Sequence, residues 1–272
     1  MIILDGKKVS EELLIDIKKD ISKLSYKLGL SIILVGDKKD SIFYVNSIKK
    51  YCERLNIKFF LKQFKNISSN DLIKEIDVLN NDDSIHGILI QSPLPLSLKK
   101  NEKQIFNSIC PKKDIDGVNV YNAGKLFLNH DIKFIPCTAL GCLELLDYYD
   151  INVEGLNIVV LGASNVIGLP LSILLLQRGA TVTICHIKTK NVKSHTINAD
   201  LLISCCGVAN LVENDWIKKD IIIIDVGINF LDNKLVGDVN FDSVKDKCKY
   251  ITPVPGGVGP MTITMLFKQL IN

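Results

Sequence analysis

Residues 162–168, Gly162-Ala163-Ser164-Asn165-Val166-Ile167-Gly168, form a glycine-bounded turn directly after the apolar run 157–161. Between a strand and a helix, such a turn aims backbone N–H groups and a helix N-terminus at a phosphate. Gly162 allows the tight turn, and Gly168 allows close helix–strand packing. Ser164 stands where GxGxxG has its middle glycine, and the closing glycine comes one place late, so a plain βα turn is the alternative on these residues alone. At the end of the next apolar run, a site for NAD would usually carry a carboxylate for the ribose hydroxyls. Here the segment is Cys185-His186-Ile187-Lys188-Thr189-Lys190, with two lysines and no carboxylate. That favours an anionic 2′-phosphate, hence NADP, over the alternative of a solvated basic loop. A third string, 251–262, reads Ile-Thr-Pro-Val-Pro-Gly-Gly-Val-Gly-Pro-Met-Thr. Its prolines stiffen the loop, and its glycines let backbone amides approach a flat ligand.

These residues need elements to position them. Apolar spacing predicts helices over 9–24, 41–55, 71–79 (capped by Ser69 or Asn70), 138–149 (capped by Thr138), 169–178 and 262–270. Short apolar runs predict strands at 31–35, 58–64, 87–91, 157–161, 181–185, 201–205 and 221–226. Such βα alternation is the pattern of parallel sheets covered by helices. In the second half the recurrence of strands is that of a doubly wound nucleotide fold. The expected architecture is α/β with two domains: a parallel-sheet catalytic domain over 1–137 plus 258–272, and a Rossmann-type nucleotide domain over 138–257. The last helix is expected to return to the first domain.

The chain has 272 residues, 47% hydrophobic and 23% charged, with a net charge of +3. That composition excludes a disordered tail, a collagen and a coiled coil, and the charge is too small to make nucleic acid the main partner. No apolar run is long enough to cross a membrane. Asp5 interrupts any secretory signal, so a cytoplasmic protein is expected. The eight cysteines, at 52, 110, 137, 142, 185, 205, 206 and 248, include no CxxC pair. Buried reduced thiols are expected, and no metal site.

Four strings together resemble the methylenetetrahydrofolate dehydrogenase/methenyltetrahydrofolate cyclohydrolase family. They are Tyr44-Val45-Asn46-Ser47, the run Gly87 to Pro95 (Gly-Ile-Leu-Ile-Gln-Ser-Pro-Leu-Pro), Lys113-Asp114-Ile115-Asp116-Gly117, and the run Pro253 to Thr262. Gly162-Ala163-Ser164 and Asp225-Val226-Gly227-Ile228-Asn229 match as well, and the resemblance spans essentially the whole chain. It implies a tetrahydrofolate derivative as substrate, NADP as cofactor, a folate cleft between the domains and a homodimer through the nucleotide domain. It also implies roles. Tyr44 lies over the folate, Gln91 polarises the reacting centre, and Asp116 hydrogen-bonds the pterin. Pro255, Gly256 and Gly257 close against the substrate. Gly162, Ala163, Ser164, Ile167, Gly168, His186, Lys188, Thr189 and Ile228 hold the cofactor. On residue type alone, Tyr44 could equally be a core aromatic, Gln91 a strand-end polar group and Asp116 an Asx-turn residue.

The departures bear on activity. The family's catalytic lysine sits four residues after the tyrosine, and that position is Ile48 here. A serine frequent in the 2′-phosphate loop is replaced by Ile187. The expected reaction is oxidation of 5,10-methylenetetrahydrofolate to the methenyl form, with hydrolysis to the 10-formyl form weak or absent. Lys49 substituting for the lysine, another NADP oxidoreductase of shikimate-dehydrogenase type, and a non-catalytic folate-binding relic are the alternatives.

Overall fold

A computed structural model describes residues 1–232 and 234–271. In chain order its elements are β1 (Ile2–Ile3), α1 (Gly6–Ser22), β2 (Gly29–Val35), α2 (Lys39–Arg54), β3 (Lys58–Phe64), α3 (Ser69–Asn80) and β4 (Gly87–Ile90). There follow α4 (Leu96–Lys99), α5 (Glu102–Asn107), α6 (Val120–Leu128), α7 (Cys137–Tyr148), β5 (Asn157–Leu161), α8 (Gly168–Gln177), β6 (Thr181–Cys185), α9 (Val192–Thr196) and β7 (Leu201–Ser204). The chain closes with β8 (Ile221–Asp225), β9 (Asn229–Leu231), β10 (Lys234–Val236), α10 (Phe241–Val244), β11 (Cys248–Ile251) and α11 (Val258–Leu270). Two compact units result. One holds Leu14–Ile135 with the chain from Leu266 onward; the other holds Met1–Leu13 and Pro136–Met265.

The unit beginning at Leu14 is built on a three-stranded parallel sheet of order β3-β2-β4. Every residue of β2 is buried, as a central parallel strand covered on both faces must be. On α3, Leu72, Ile76 and Leu79 recur at helical spacing and pack with Ile33, Val35, Ile88 and Ile90. On α2 the buried side chains are Ser41, Val45, Ile48 and Cys52, again one stripe.

The other unit carries a six-stranded sheet of order β1-β11-β8-β7-β5-β6 whose pairings are all parallel. Val159, Leu161, Leu202, Ile221 and Ile223 form one core with Val212, Val239 and Ile251. A short antiparallel ribbon, β9–β10, lies outside that sheet. Among the described residues, no helix is long and apolar enough to cross a membrane, and no cluster of His, Cys, Asp and Glu could hold a metal ion.

Element ends differ from the sequence expectation where side chains decide them. The first helix starts at Gly6, because the Asp5 carboxylate accepts the Lys8 amide at 3.0 Å and caps it. The cap of α3 is Ser68, one residue before Ser69 and two before Asn70; its hydroxyl accepts the Asp71 amide at 3.2 Å. Thr138 lies inside α7, which starts behind Pro136. The final helix begins at Val258, since Pro260 falls in the first turn, where its missing N–H costs nothing.

Capping gives a direct test. Ser68→Ala is expected to lower stability by about 1 kcal/mol. Ser69→Ala, at the first helical position, should stay within about 0.5 kcal/mol of the parent. Chemical denaturation of both variants checks this, and equal losses would move the cap.

Candidate functional site

In the unit beginning at Leu14, three of the singled-out residues sit on segments at the C-terminal edge of the small sheet. Tyr44 is half-buried on α2, the helix that follows β2. Gln91 directly follows β4, and its backbone N–H donates to the Ile33 carbonyl at 2.9 Å, extending the ladder by one bond. Its side-chain amide donates to the Ser92 carbonyl at 2.8 Å. Asp116 lies in a turn that runs beside β4: the Ile88 amide donates to the Lys113 carbonyl at 2.7 Å, and Ile88 bridges Asp114.

What fixes the Asp116 turn is its neighbour. Asp114 is fully buried, and its carboxylate accepts the Asn119 amide at 2.9 Å, the Val118 amide at 3.2 Å and the Asn122 side chain at 2.8 Å. Burial pushes its pKa up, and those three donors offset only part of the rise. Gly117 turns the chain with φ +60°, and a Cβ there would sit 2.9 Å from the Phe134 carbonyl oxygen. Gln269, from α11, grips the other side of the loop. Its side chain donates to the Ile115 and Ile135 carbonyls, each at 2.9 Å, and accepts the Ile135 amide at 2.6 Å. Neither Asp114 as an anchor nor Gln269 was singled out from sequence. The Asp-Ile-Asp-Gly turn held the signal for the first; for the second, buried glutamine in a helix of apolar residues was the only clue.

Ile48 has no exposed surface. Positions 44 and 48 lie about 40° apart around a helix axis, and 49 lies about 100° further on. The structure keeps α2 regular α-helix from Lys39 to Arg54, with Lys49 and Lys50 exposed.

In the other unit, β5 has β6 on one side and β7 on the other. This is a topological switch point, where ligands bind beyond the strands' carboxyl ends. The glycine turn lies there. Gly162 has φ +116°, and a Cβ on it would be 2.6 Å from the Cys205 carbonyl oxygen. A Cβ on Gly168 would collide with the Gly162 carbonyl. Neither position has room for a side chain, so the turn stays tight, the shape that lets backbone amides approach a pyrophosphate. The Ser164 hydroxyl accepts the Ile167 amide at 3.1 Å and reaches the Gly168 amide at 3.5 Å, so it organises the helix entry. Ala163 and Ile167 are half-buried beside it.

Beyond β6 the chain closes on itself. The His186 amide donates to the Thr189 hydroxyl at 2.9 Å, the Thr189 amide to the His186 carbonyl at 2.7 Å, and the Lys188 amide to His186 Nδ1 at 3.1 Å. Lys188 and Lys190 are exposed, and Ile187 points fully into solvent. Ile228 is 62% exposed in the loop after β8. The loop 255–257 turns at Gly256, with φ +107°, and the Gly256 carbonyl accepts the Lys7 amide at 2.9 Å. Gly257 has no room for a side chain: its Cβ would be 2.6 Å from the Pro253 carbonyl oxygen.

Two further carboxylates of this unit, Asp225 and Asp238, are buried beneath the loops after β7 and β8. Asp225 accepts the amides of Gly227 at 2.9 Å, Asp238 at 3.0 Å and Val239 at 2.9 Å, and its own amide donates to the Thr252 hydroxyl at 2.7 Å. Burial nevertheless pushes its pKa up to about 6, with the Asp238 charge adding to the rise. Asp225 stood in a matched string but was given no role; an acidic end on the run Ile221-Ile222-Ile223-Ile224 was the available signal.

Two family models match the chain: tetrahydrofolate dehydrogenase/cyclohydrolase, catalytic domain, over residues 4–116, and the NAD(P)-binding domain of the same family over 136–272. The bifunctional protein FolD of Campylobacter jejuni is 46% identical, covering 100% of this chain and 98% of that protein. A crystal structure of the Campylobacter jejuni bifunctional FolD superposes with TM-score 0.96 at 45% identity, covering 100% of this chain and 97% of that one. The Trypanosoma brucei FolD, solved with NADP cofactor and an inhibitor, superposes with TM-score 0.94 at 32% identity, covering 99% and 96%.

The Asp225 carboxyl should titrate near pH 6 rather than near its ordinary 3.8. Its folded pKa is raised, so well below pH 3.8 the group is neutral in both states and leaves stability unchanged. As pH rises from 4 to 6 the unfolded chain ionises first, and the group comes to oppose folding by on the order of 3 kcal/mol. Carbon-13 titration of the carboxyl checks this, and a midpoint at or below 4 contradicts it.

Proposed function

The chain belongs to the tetrahydrofolate dehydrogenase/cyclohydrolase family, and on that premise we propose that it retains one of the two activities and lacks the other. It oxidises 5,10-methylenetetrahydrofolate to the 5,10-methenyl form with NADP, and it does not catalyse the following hydrolysis to the 10-formyl form. The observation that carries this reading is Ile48, an aliphatic side chain with no exposed surface at the position of the family's lysine.

The two half-reactions ask different things of a protein. NADP, when bound, supplies the hydride acceptor. The folate nitrogen lone pair expels the hydride, and the methenyl cation is stabilised by resonance. No strong acid or base is needed, so the chain's work is alignment and exclusion of water. In this reading Tyr44 covers the folate, Gln91 polarises the reacting centre, and Asp116 accepts hydrogen bonds from the pterin. Gly162, Ser164, Gly168 and the His186–Thr189 loop hold the cofactor, with Lys188 on its 2′-phosphate. Hydrolysis instead requires a water to be activated and protons to be moved. Isoleucine has no proton to give. Lys49 faces solvent on a regular helix turn, which argues against its taking over. The family resemblance further supports a homodimer through the nucleotide-binding unit.

With methylenetetrahydrofolate, NADPH formation is expected, faster than NADH formation at equal cofactor concentration. Decay of methenyltetrahydrofolate should proceed at the same rate with and without the protein. Ile48→Lys should create catalysed decay, because a positioned acid/base group is worth roughly 10²–10⁴-fold. Catalysed decay in the parent that disappears in Lys49→Met would overturn the reading.

Asp116→Ala should raise the folate KM, since the pterin donors lose an acceptor worth about 1–3 kcal/mol, roughly 5- to 150-fold. NADP affinity should hold steady. A variant with the parent's folate KM would reduce Asp116 to a turn residue.

A further inference from the structure

Asp238 is fully buried, yet both of its carboxylate oxygens are filled with donors from two separate loops. Oδ2 accepts the Cys206 amide at 2.8 Å, the Gly207 amide at 3.2 Å and the Ser204 hydroxyl at 3.0 Å, all at or just beyond the end of β7. The Cys206 thiol points at the same oxygen at 3.3 Å. Oδ1 accepts the Val208 amide at 2.9 Å and the Asn229 side-chain amide, from the start of β9, at 2.9 Å. A Cβ on Gly227 would collide with this carboxylate, so the loop after β8 lies directly against it. Charge-assisted hydrogen bonds are short, about twice as strong as neutral ones, and directional. One side chain thus locks two loops into a single wall.

The sheet order says which part of a dinucleotide that wall faces. The glycine turn after β5 takes the pyrophosphate, and the lysine loop after β6 takes the adenosine side. The other side of the switch point is the ends of β7 and β8. Resting on the assignment of this unit to NADP, we propose that Asp238 is the positioning residue for the nicotinamide half of the cofactor. It acts through the 205–208 loop and the 227–229 loop and does not touch the reacting atoms. Asp225 supports it from behind by accepting the Asp238 and Val239 amides.

Asparagine at 238 keeps the shape but has one accepting oxygen. Its NH2 must then face either the Cys206 and Gly207 amides or the Val208 and Asn229 amides. In the full chain, Asp238→Asn should bind 2′,5′-ADP, which lacks nicotinamide, within about twofold of the parent. It should bind NADPH at least tenfold more weakly and lose roughly 10- to 100-fold in kcat, since small misplacements at a hydride-transfer centre carry costs of that size. The folate KM should stay put. Amide hydrogen exchange should quicken at 206–208 and 229, without ligand, and stay unchanged at the glycine turn. Asn229→Ala removes one donor only and should shift NADPH binding in the same direction by a few-fold. This variant decides the matter if Asp238→Asn does not fold. Adding Asn229→Asp to Asp238→Asn gives the new NH2 an acceptor and should recover part of the NADPH affinity. Parallel loss of 2′,5′-ADP and NADPH binding would make Asp238 a general stability residue and overturn the proposal. So would an unchanged kcat, or an Asn229→Ala variant identical to the parent. A parent that does not bind 2′,5′-ADP would overturn the dinucleotide assignment itself, and this inference with it.

Discussion

Parallel strands end together, and at that edge the loops leave backbone N–H groups buried with no strand to pair them. An unpaired buried donor costs about 1–3 kcal/mol, so each must find an acceptor. In this protein carboxylates meet that demand in both units. Asp114 takes the Val118 and Asn119 amides, Asp225 takes those of Gly227, Asp238 and Val239, and Asp238 takes those of Cys206, Gly207 and Val208. A carboxylate has two oxygens and about four lone-pair directions, so it can gather several amides that no single carbonyl could reach. The loops that carry Asp116 and Ile228 have fixed shapes for this reason.

The same arrangement carries an electrostatic cost. Asp225 and Asp238 are both buried, and the Asp225 carboxyl is pushed up to about 6 by burial and by its neighbour's charge. The penalty is borne in the loops, while the strands behind them are packed with isoleucine, leucine and valine. Gly227 and Gly237 belong to this arrangement too. A side chain on either would run into the Asp238 or the Asp225 carboxylate, so the glycines and the acids are parts of one packing solution.

Much of this was legible in the amino-acid order, but unevenly. The strands of the six-stranded sheet that bury both faces, β5, β7 and β8, read as apolar runs bounded by turn residues, and the glycine turn announced the switch point. By contrast β1 has only two residues, and β11 (Cys-Lys-Tyr-Ile) is no apolar run; the pairing of β1 with β11 and of β11 with β8 is a tertiary outcome. Helix starts went astray where Asp5 and Ser68 cap from outside the apolar stripe. Tyr44, Gln91 and Asp116, the residues proposed to meet the substrate, showed through the strings they sit in. The acids that hold the loops did not, because Asp114, Asp225 and Asp238 look in sequence like ordinary turn or strand-end polar groups. Only the three-dimensional path shows that Asp238, beside β10, serves a loop 30 or more residues earlier.

Ile48 belongs with this division between alignment and acid–base chemistry. Its stripe-mates Val45 and Cys52 are buried with it, and an isoleucine suits that apolar stripe. A lysine there would have to lose water from its ammonium, a penalty that only a function requiring a depressed pKa would sustain. With the aliphatic side chain no ammonium has to be desolvated, so the helix packs more cheaply. Changing Ile48 to lysine is therefore a trade of folding stability for proton transfer. Where the methenyl product is hydrolysed by water or by a separate enzyme, selection on this chain has no reason to make that trade.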